Sequence, residues 1–181
     1  MIRKLFTIAF LLGSINAFSQ DSKPDAPKPQ PNINPADISA FDFTDPGDPL
    51  PDFLLKTLDG KLYTQNDFKN EANLFVMLFN PSCSHCQDQT KMLEKNIALF
   101  KKSKIVLVAK PVMSSYLPTF IKDMNTDSFP TITVGIDSLH LIHDVSLEQQ
   151  LPQMNIYDKS RKLIKIYEGE MPIDSFKHYI Q

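Results

Sequence analysis

Two unbroken apolar runs stand out in the pattern of hydrophobic and polar positions, at residues 74–79 and 105–109. A continuous run without alternation is typical of a strand that is covered on both faces, so both segments are predicted to be buried parallel strands. Between them, the pattern predicts a helix that begins after residue 83, with charged residues directed away from one apolar face. That face consists of Met92, Leu93, Ile97 and Phe100.

A β-hairpin is predicted before this strand-helix-strand unit, at residues 51–63. Its turn is Asp59-Gly60, a dipeptide that favours tight hairpin connections. A short helical turn is predicted to follow at residues 65–68. The chain therefore begins its folded part with a two-stranded extension.

The second half of the chain predicts further alternation of helix and strand. Residues 114–124 form a candidate helix, with serines as its N-cap and Pro118 accommodated in the first turn. Residues 129–134 fit a strand or an extended connection. A second hairpin at residues 153–167 and a closing helix at residues 172–180 complete an α/β fold, a central mixed β-sheet flanked by helices.

Composition divides the chain into three regions. Residues 1–19 have a basic start, a short apolar core and small residues near the end, which are the features of a secretory signal peptide. Residues 20–49 are rich in proline and polar residues and are expected to be a disordered linker, although residues 38–43 could add a strand to the domain. Residues 50–181 form the folded domain. The apolar core of the signal is too short to span a bilayer comfortably, so no membrane anchor is expected after cleavage.

The charge of the chain excludes one class of partner. The formal net charge is −2, and loss of Arg3 and Lys4 with the signal would change it from −2 to −4. Arg161 would then be the only arginine. Without a basic surface, binding of nucleic acid or anionic lipid is not expected.

The only two cysteines, Cys83 and Cys86, form a Cys-Ser-His-Cys motif directly after the first apolar run. This position places Cys83 at a helix N-terminus, where unpaired N–H groups and the helix dipole stabilise a thiolate. Cys86 lies one turn further along the same helix, within reach of a mixed disulfide on Cys83. The pattern predicts a redox-active dithiol with Cys83 as nucleophile and Cys86 as resolving residue.

The order of the elements, with a CxxC motif at the start of the first helix, resembles the thioredoxin fold. More narrowly, Pro51-Asp52-Phe53 and Asp59-Gly60-Lys61, the CxxC motif and a late proline before a hairpin are similar to exported TlpA-like or redoxin-type (AhpC/TSA-like) proteins. The resemblance implies a thiol-disulfide oxidoreductase in the periplasm or outside the cell. It also implies protein clients and a redox partner, and no cofactor.

In that family, a cis proline faces the dithiol and the residue before it pairs with the backbone of the client. By motif position these residues are Leu151 and Pro152, although Pro130 also resembles the family's proline-threonine pair. His85 lies between the cysteines, as in protein disulfide isomerase and DsbA-like proteins. A protonated histidine beside the thiolate would stabilise the reduced state and make the disulfide more oxidising.

Some residues depart from the family pattern. The chain has no tryptophan, Met77 occupies the position of the buried acid of thioredoxin, and Gln89 replaces a glutamate that several TlpA-like proteins carry. No residue is therefore assigned to accept the proton of Cys86.

Other interpretations of the two cysteines remain open. A static disulfide would stabilise little because it closes a short loop. A redoxin-fold copper metallochaperone, or a zinc site, could recruit His140 or His143, although the spacing of the cysteines does not favour this and no metal is expected. A peroxidase would need a Pro-x-x-x-Thr-x-x-Cys loop, which is absent. The last alternative is a non-catalytic binding domain.

Overall fold

The computed structural model of the chain describes residues 43–139, 142, 144 and 150–180, which belong to one compact unit. Its seven strands are β1 (Leu54–Lys56), β2 (Leu62–Thr64), β3 (Leu74–Phe79), β4 (Lys104–Ala109), β5 (Ile132–Asp137), β6 (Gln153–Tyr157) and β7 (Leu163–Glu168). They form one mixed sheet in the order β2-β1-β5-β4-β3-β6-β7. Strands β3, β4 and β5 are parallel, and the other pairings are antiparallel.

Strand β3 explains why its apolar run does not alternate. It pairs with β4 on one edge and with β6 on the other, and all of its residues are buried. Phe75, Met77 and Phe79 face one hydrophobic cluster, and the residues between them face a second cluster on the other side of the sheet. Both predicted buried strands are confirmed.

Two α-helices, α1 (Ser84–Lys95) and α2 (Leu117–Met124), pack on the sheet face that carries Phe75 and Met77. Helix α1 begins at Cys83 as its N-cap, as predicted. The helix ends at Lys95, so the prediction that Ile97 and Phe100 belong to its apolar face is wrong: Ile97 begins a separate 3₁₀ helix (Ile97–Leu99), and Phe100 is the C-cap of that helix. Other 3₁₀ helices are Gln65–Phe68, as predicted, Pro111–Tyr116, Thr126–Ser128, Ile173–Ser175 and Lys177–Tyr179.

The predicted helix at residues 114–124 begins later than expected. Pro111–Tyr116 is a 3₁₀ helix, and the N-cap of α2 is Tyr116, which makes no side-chain capping bond. The serine N-cap is therefore wrong, whereas Pro118 does lie in the first turn of α2. Proline has no N–H to donate and is tolerated only there, so it fixes where the α-helix can begin.

The predicted closing helix at residues 172–180 is wrong, because the segment forms two short 3₁₀ helices. Its carbonyls accept hydrogen bonds from a side chain of β7 and from one just before β3: the Tyr167 hydroxyl donates to the Ser175 carbonyl at 3.1 Å, and Asn73 donates to the Tyr179 carbonyl at 2.8 Å. Phe176 between them is fully buried. These tertiary contacts hold two tight turns against the sheet and override the helical pattern.

The N-terminal hairpin is confirmed, and it joins the sheet through β5. The pairing is short, consisting of Leu55 with Asp137 and Lys56 with Ile136. Gly135 makes the close approach possible: a Cβ there would lie 2.7 Å from the Leu55 Cγ and 2.8 Å from the Lys56 carbonyl oxygen. Residues 129–134 were expected to be a strand or an extended connection. Residues 129–131 lead into β5, and residues 132–134 are its first three residues.

Ordered backbone contacts begin before residue 50. The Gly47 N–H donates to the Leu163 carbonyl at 2.8 Å, and the Leu163 N–H donates to the Asp48 carbonyl at 2.7 Å. Part of the segment assigned to the linker is therefore tied to β7. The signal segment and residues 20–42 lie outside the described residues. In the part of the chain that the structure describes, no helix has the length and apolar character needed to cross a membrane.

Candidate active site

A tight turn connects β3 to α1. The Cys83 N–H donates to the Asn80 carbonyl at 3.0 Å, and the Asn80 side-chain oxygen accepts from the Ser82 N–H and hydroxyl at 2.9 and 2.8 Å. The Gln87 side chain donates to the Pro81 carbonyl at 3.0 Å. Because each bond spans only a few residues, the turn itself holds Cys83 at the start of α1.

The two cysteines differ in exposure. Cys83 is partly exposed, whereas Cys86 is fully buried. Cys83 has the extended backbone of an N-cap, and its carbonyl accepts the first N–H of the helix, from Gln87. Part of Cys83 is therefore open to solvent at the first turn of α1, where the unpaired N–H groups of a helix favour a negative charge.

Leu151 and Pro152 lie at the same edge of the sheet as Cys83. Strand β6 runs antiparallel to β3, with Gln153 opposite Leu78, so the residues before β6 lie beside the end of β3. The Leu151–Pro152 peptide bond is cis. Leu151 is partly buried and packs against the same hydrophobic cluster as Cys83.

Pro130, the alternative candidate for the family's cis proline, lies at the edge of the sheet opposite to Cys83. Pro130 lies in a turn before β5, and β5 is parallel to β4 and β3. The amino ends of parallel strands share one edge, and their carboxyl ends, where Cys83 lies, share the other. Pro152, not Pro130, is therefore the proline brought to the cysteines.

His85 contacts a carboxylate from a distant part of the chain. Its Nδ1 lies 3.4 Å from Glu170 Oε2, and both side chains are substantially exposed, at 69% and 47%. Glu170 follows Gly169, whose φ of 75° turns the chain after β7. Sequence reasoning missed Glu170, because a contact between residues so far apart leaves no local signal.

Met77 and Gln89 occupy the two positions at which similar proteins can carry an acidic residue, and neither side chain is acidic. Met77 is fully buried and pairs with Met154 across β3 and β6. Gln89 is 1% exposed, and its Oε1 accepts the Met171 N–H at 2.7 Å. One turn beyond Cys86, the helix therefore presents a neutral amide that binds the same loop as His85.

Glu94, further along α1, has a perturbed titration. Desolvation raises its pKa to about 7, and Lys91 opposes the shift. One carboxylate oxygen is buried without a hydrogen-bond partner in the described structure. The ionised side chain is therefore poorly accommodated in the fold.

We expect Glu94→Gln to stabilise the protein at pH 8 and to change little at pH 4. A carboxyl whose pKa is higher in the folded than in the unfolded state contributes stability below about pH 4.5, and this contribution is lost as the pH rises through about 7. The gain at pH 8 is about 1 kcal/mol after allowance for solvent screening. Urea unfolding at both pH values measures it, with the exposed Glu168→Gln as control. Equal effects of the two variants would contradict the prediction.

His140 and His143, the two histidines considered as metal ligands, lie outside the described residues. Among the residues that are described, no group of three or more histidine, cysteine, aspartate or glutamate side chains is arranged to hold a metal ion.

Comparison with solved structures identifies the fold. The thioredoxin domain of a thiol-disulfide oxidoreductase from Bacteroides vulgatus is 19% identical, with a TM-score of 0.61, and the match covers 74% of this chain and 94% of that one. A secreted disulfide oxidoreductase of Mycobacterium tuberculosis, homologous to E. coli DsbE, is 15% identical, with a TM-score of 0.59 and coverage of 70% and 92%. The exposed lipoprotein thioredoxin of Streptococcus pneumoniae is 21% identical, with a TM-score of 0.56 and coverage of 70% and 96%.

These similarities confirm the thioredoxin-like fold. No curated protein matches the sequence. Residues 46–172 match the AhpC/TSA family, a stretch that contains β1 to β7, both cysteines and the cis proline. The chain belongs to the AhpC/TSA family.

Proposed function

We propose that the protein is an exported thiol-disulfide oxidoreductase that exchanges disulfides with protein clients through Cys83 and Cys86. The observation that carries the proposal is the difference between the two sulfurs. Cys83 is accessible at the N-cap of α1, and Cys86 is buried one turn away on the same helix. An attacking thiolate must reach its client, whereas a resolving thiol needs to reach only the mixed disulfide.

The reaction proceeds in two exchange steps. In the reducing direction, the Cys83 thiolate attacks a client disulfide, forms a mixed disulfide and releases one client sulfur as a thiolate that takes a proton. The Cys86 thiol then loses its proton and attacks the Cys83 sulfur. The bond between Cys83 and the client breaks, the second client thiol leaves, and the protein retains a Cys83–Cys86 disulfide. Oxidation of a client dithiol reverses these steps.

Leu151 and Pro152 are proposed to receive the client. They lie at the edge of the sheet that carries Cys83, and Leu151 remains partly exposed beside it. The backbone of Leu151 would pair with an extended client segment that carries the reacting cysteine. A separate redox partner resets the dithiol after each turnover.

Export is proposed from the N-terminal sequence, and two of the structural relatives support it. One is described as secreted, and another as an exposed lipoprotein. A disulfide-permissive compartment outside the cytoplasm suits a redox-active dithiol. Fractionation of cells that produce the full chain tests the proposal, and a protein found only in the cytoplasm would contradict it.

The reduction potential tests the function and the role of His85 together. We expect the Cys83–Cys86 couple to lie above roughly −230 mV, between about −270 mV for thioredoxin and about −120 mV for DsbA, because a protonated His85 stabilises the Cys83 thiolate. His85→Pro should lower the potential. The measurement is equilibration with glutathione redox buffers followed by alkylation of the remaining thiols. A potential close to that of thioredoxin and insensitive to the substitution would refute the role of His85, and failure to form the disulfide would refute the function.

A further inference from the structure

The contact between His85 and Glu170 defines which imidazole nitrogen carries a proton. A carboxylate oxygen only accepts hydrogen bonds, so the Nδ1 that faces Glu170 Oε2 at 3.4 Å must be the donor. In the neutral imidazole, the second nitrogen, Nε2, then has a lone pair and can accept a proton. Glu170 thus selects the tautomer of the histidine inside the CxxC motif.

A second contact holds the loop that carries Glu170. The neighbouring Met171 donates its N–H to Gln89 Oε1 at 2.7 Å, and Gln89 is almost fully buried in α1. Since His85 and Gln89 are four residues apart on the helix, they lie on the same side of it. The loop after β7 is therefore bound to two successive turns of α1, and this fixes the position of the carboxylate.

Of the two carboxylates near His85, Asp88 and Glu170, only Glu170 forms an ion pair with the imidazole in the described part of the chain. Asp88, one turn further along α1, forms an ion pair with Lys91 at 3.5 Å. Within the described part of the chain, Glu170 is the only group that forms an ion pair with His85. The His85 imidazole is exposed and can be approached by a client, whereas Cys86 is fully buried.

We infer that Glu170 is a positioning residue that orients His85, so that Nε2 serves as the proton acceptor for the client thiol. This inference rests on the proposed function. When the Cys83–Cys86 disulfide oxidises a client, the client thiol gives its proton to Nε2 and its sulfur attacks the Cys83 sulfur. The Cys83–Cys86 bond breaks, Cys86 leaves with the electron pair, and the new bond joins the client to Cys83. The imidazolium releases its proton to solvent, and the reducing direction runs the same steps backwards.

The first test is spectroscopic and does not require turnover. In the oxidised wild-type protein at alkaline pH, ¹⁵N chemical shifts of the His85 side chain should report the Nδ1–H tautomer. Glu170→Gln should shift the population toward Nε2–H. Glu168→Gln is the matched control, because it removes an exposed carboxylate on the same stretch of chain and should leave the tautomer unchanged.

The second test measures the rate at which the oxidised protein oxidises a synthetic dithiol peptide. Glu170→Gln should slow the reaction about threefold, within the range expected for a solvent-exposed charge pair, and Glu168→Gln should not slow it. In a His85→Ala background, Glu170→Gln should have no further effect, because Glu170 acts through the imidazole.

The outcomes separate this role from the function on which it rests. A wild-type protein that neither oxidises a dithiol nor reduces a disulfide overturns both. An active wild type in which Glu170→Gln and Glu168→Gln give the same tautomer and the same rate overturns only the role of Glu170. An equal loss of rate from Glu170→Gln with and without His85 also overturns it.

Discussion

Replacing Cys86 with alanine should convert the protein into a trap for its clients. Cys83 remains partly exposed at the N-cap of α1 and still forms the mixed disulfide, but the buried thiol that would resolve it is absent. We expect covalent adducts that survive non-reducing electrophoresis and disappear with reductant. Cys83→Ala should give few such adducts, because Cys86 is fully buried in the fold.

The controls for this experiment follow from the same geometry. The double variant Cys83→Ala and Cys86→Ala should form no adducts, which identifies any background. Labelling of the reduced wild type with a short alkylating pulse should modify Cys83 well before Cys86. Equal trapping by both single variants, or trapping by neither, would show that the roles of the two cysteines are assigned wrongly.

The largest effect on stability is expected at Arg161. Its guanidinium is buried in the turn between β6 and β7 and donates to the carbonyl oxygens of residues 68, 72 and 158 and to the Asn70 side chain. Arg161→Met retains much of the aliphatic volume but removes this donor from the carbonyls of residues 68 and 72, while the residue 158 carbonyl and the Asn70 oxygen each keep a backbone N–H donor. We expect a loss of about 3 kcal/mol, because buried polar groups that lose a charged partner pay their desolvation cost.

Urea unfolding measures this loss, and thermal unfolding should show a fall of roughly 6 to 12 °C in the midpoint. Lys162→Met provides a matched control, since it removes a positive charge from an exposed neighbouring position and should change stability by less than about 0.5 kcal/mol. Comparable losses for the two variants would mean that the guanidinium bonds contribute little. A retained fold with unchanged disulfide exchange would place Arg161 in the scaffold and outside the chemistry.

Sequence patterns correctly predicted those elements in which burial is the same along the whole element. Strand β3 is apolar throughout because it is buried on both faces, and the position of Cys83 after it follows from the change to helical spacing. The start of α2 and the end of the chain were predicted less well. At the start of α2, the local constraint of Pro118 decides between α and 3₁₀ geometry. At the end of the chain, the side chains that donate to the carbonyls of residues 175 and 179 decide it.

The candidate site shows the same division. The cysteines, His85 and the cis proline were found because they belong to short motifs. Glu170 and Met171 meet His85 and Gln89 of α1 only through the topology of the sheet, which brings the loop after β7 next to the helix. A contact of this kind depends on two distant segments at once, and no local pattern encodes it.

Gly135 offers a marker for the N-terminal hairpin in related sequences. The strands of that hairpin are only three residues long, so their own pattern is weak. A side chain at position 135 would collide with the Lys56 carbonyl, a backbone atom that cannot rotate away. A relative with a larger residue at this position could not hold β1 against β5 in the same register. A larger residue one position before the Ile136 pairing therefore marks related chains in which the hairpin cannot join the sheet as it does here.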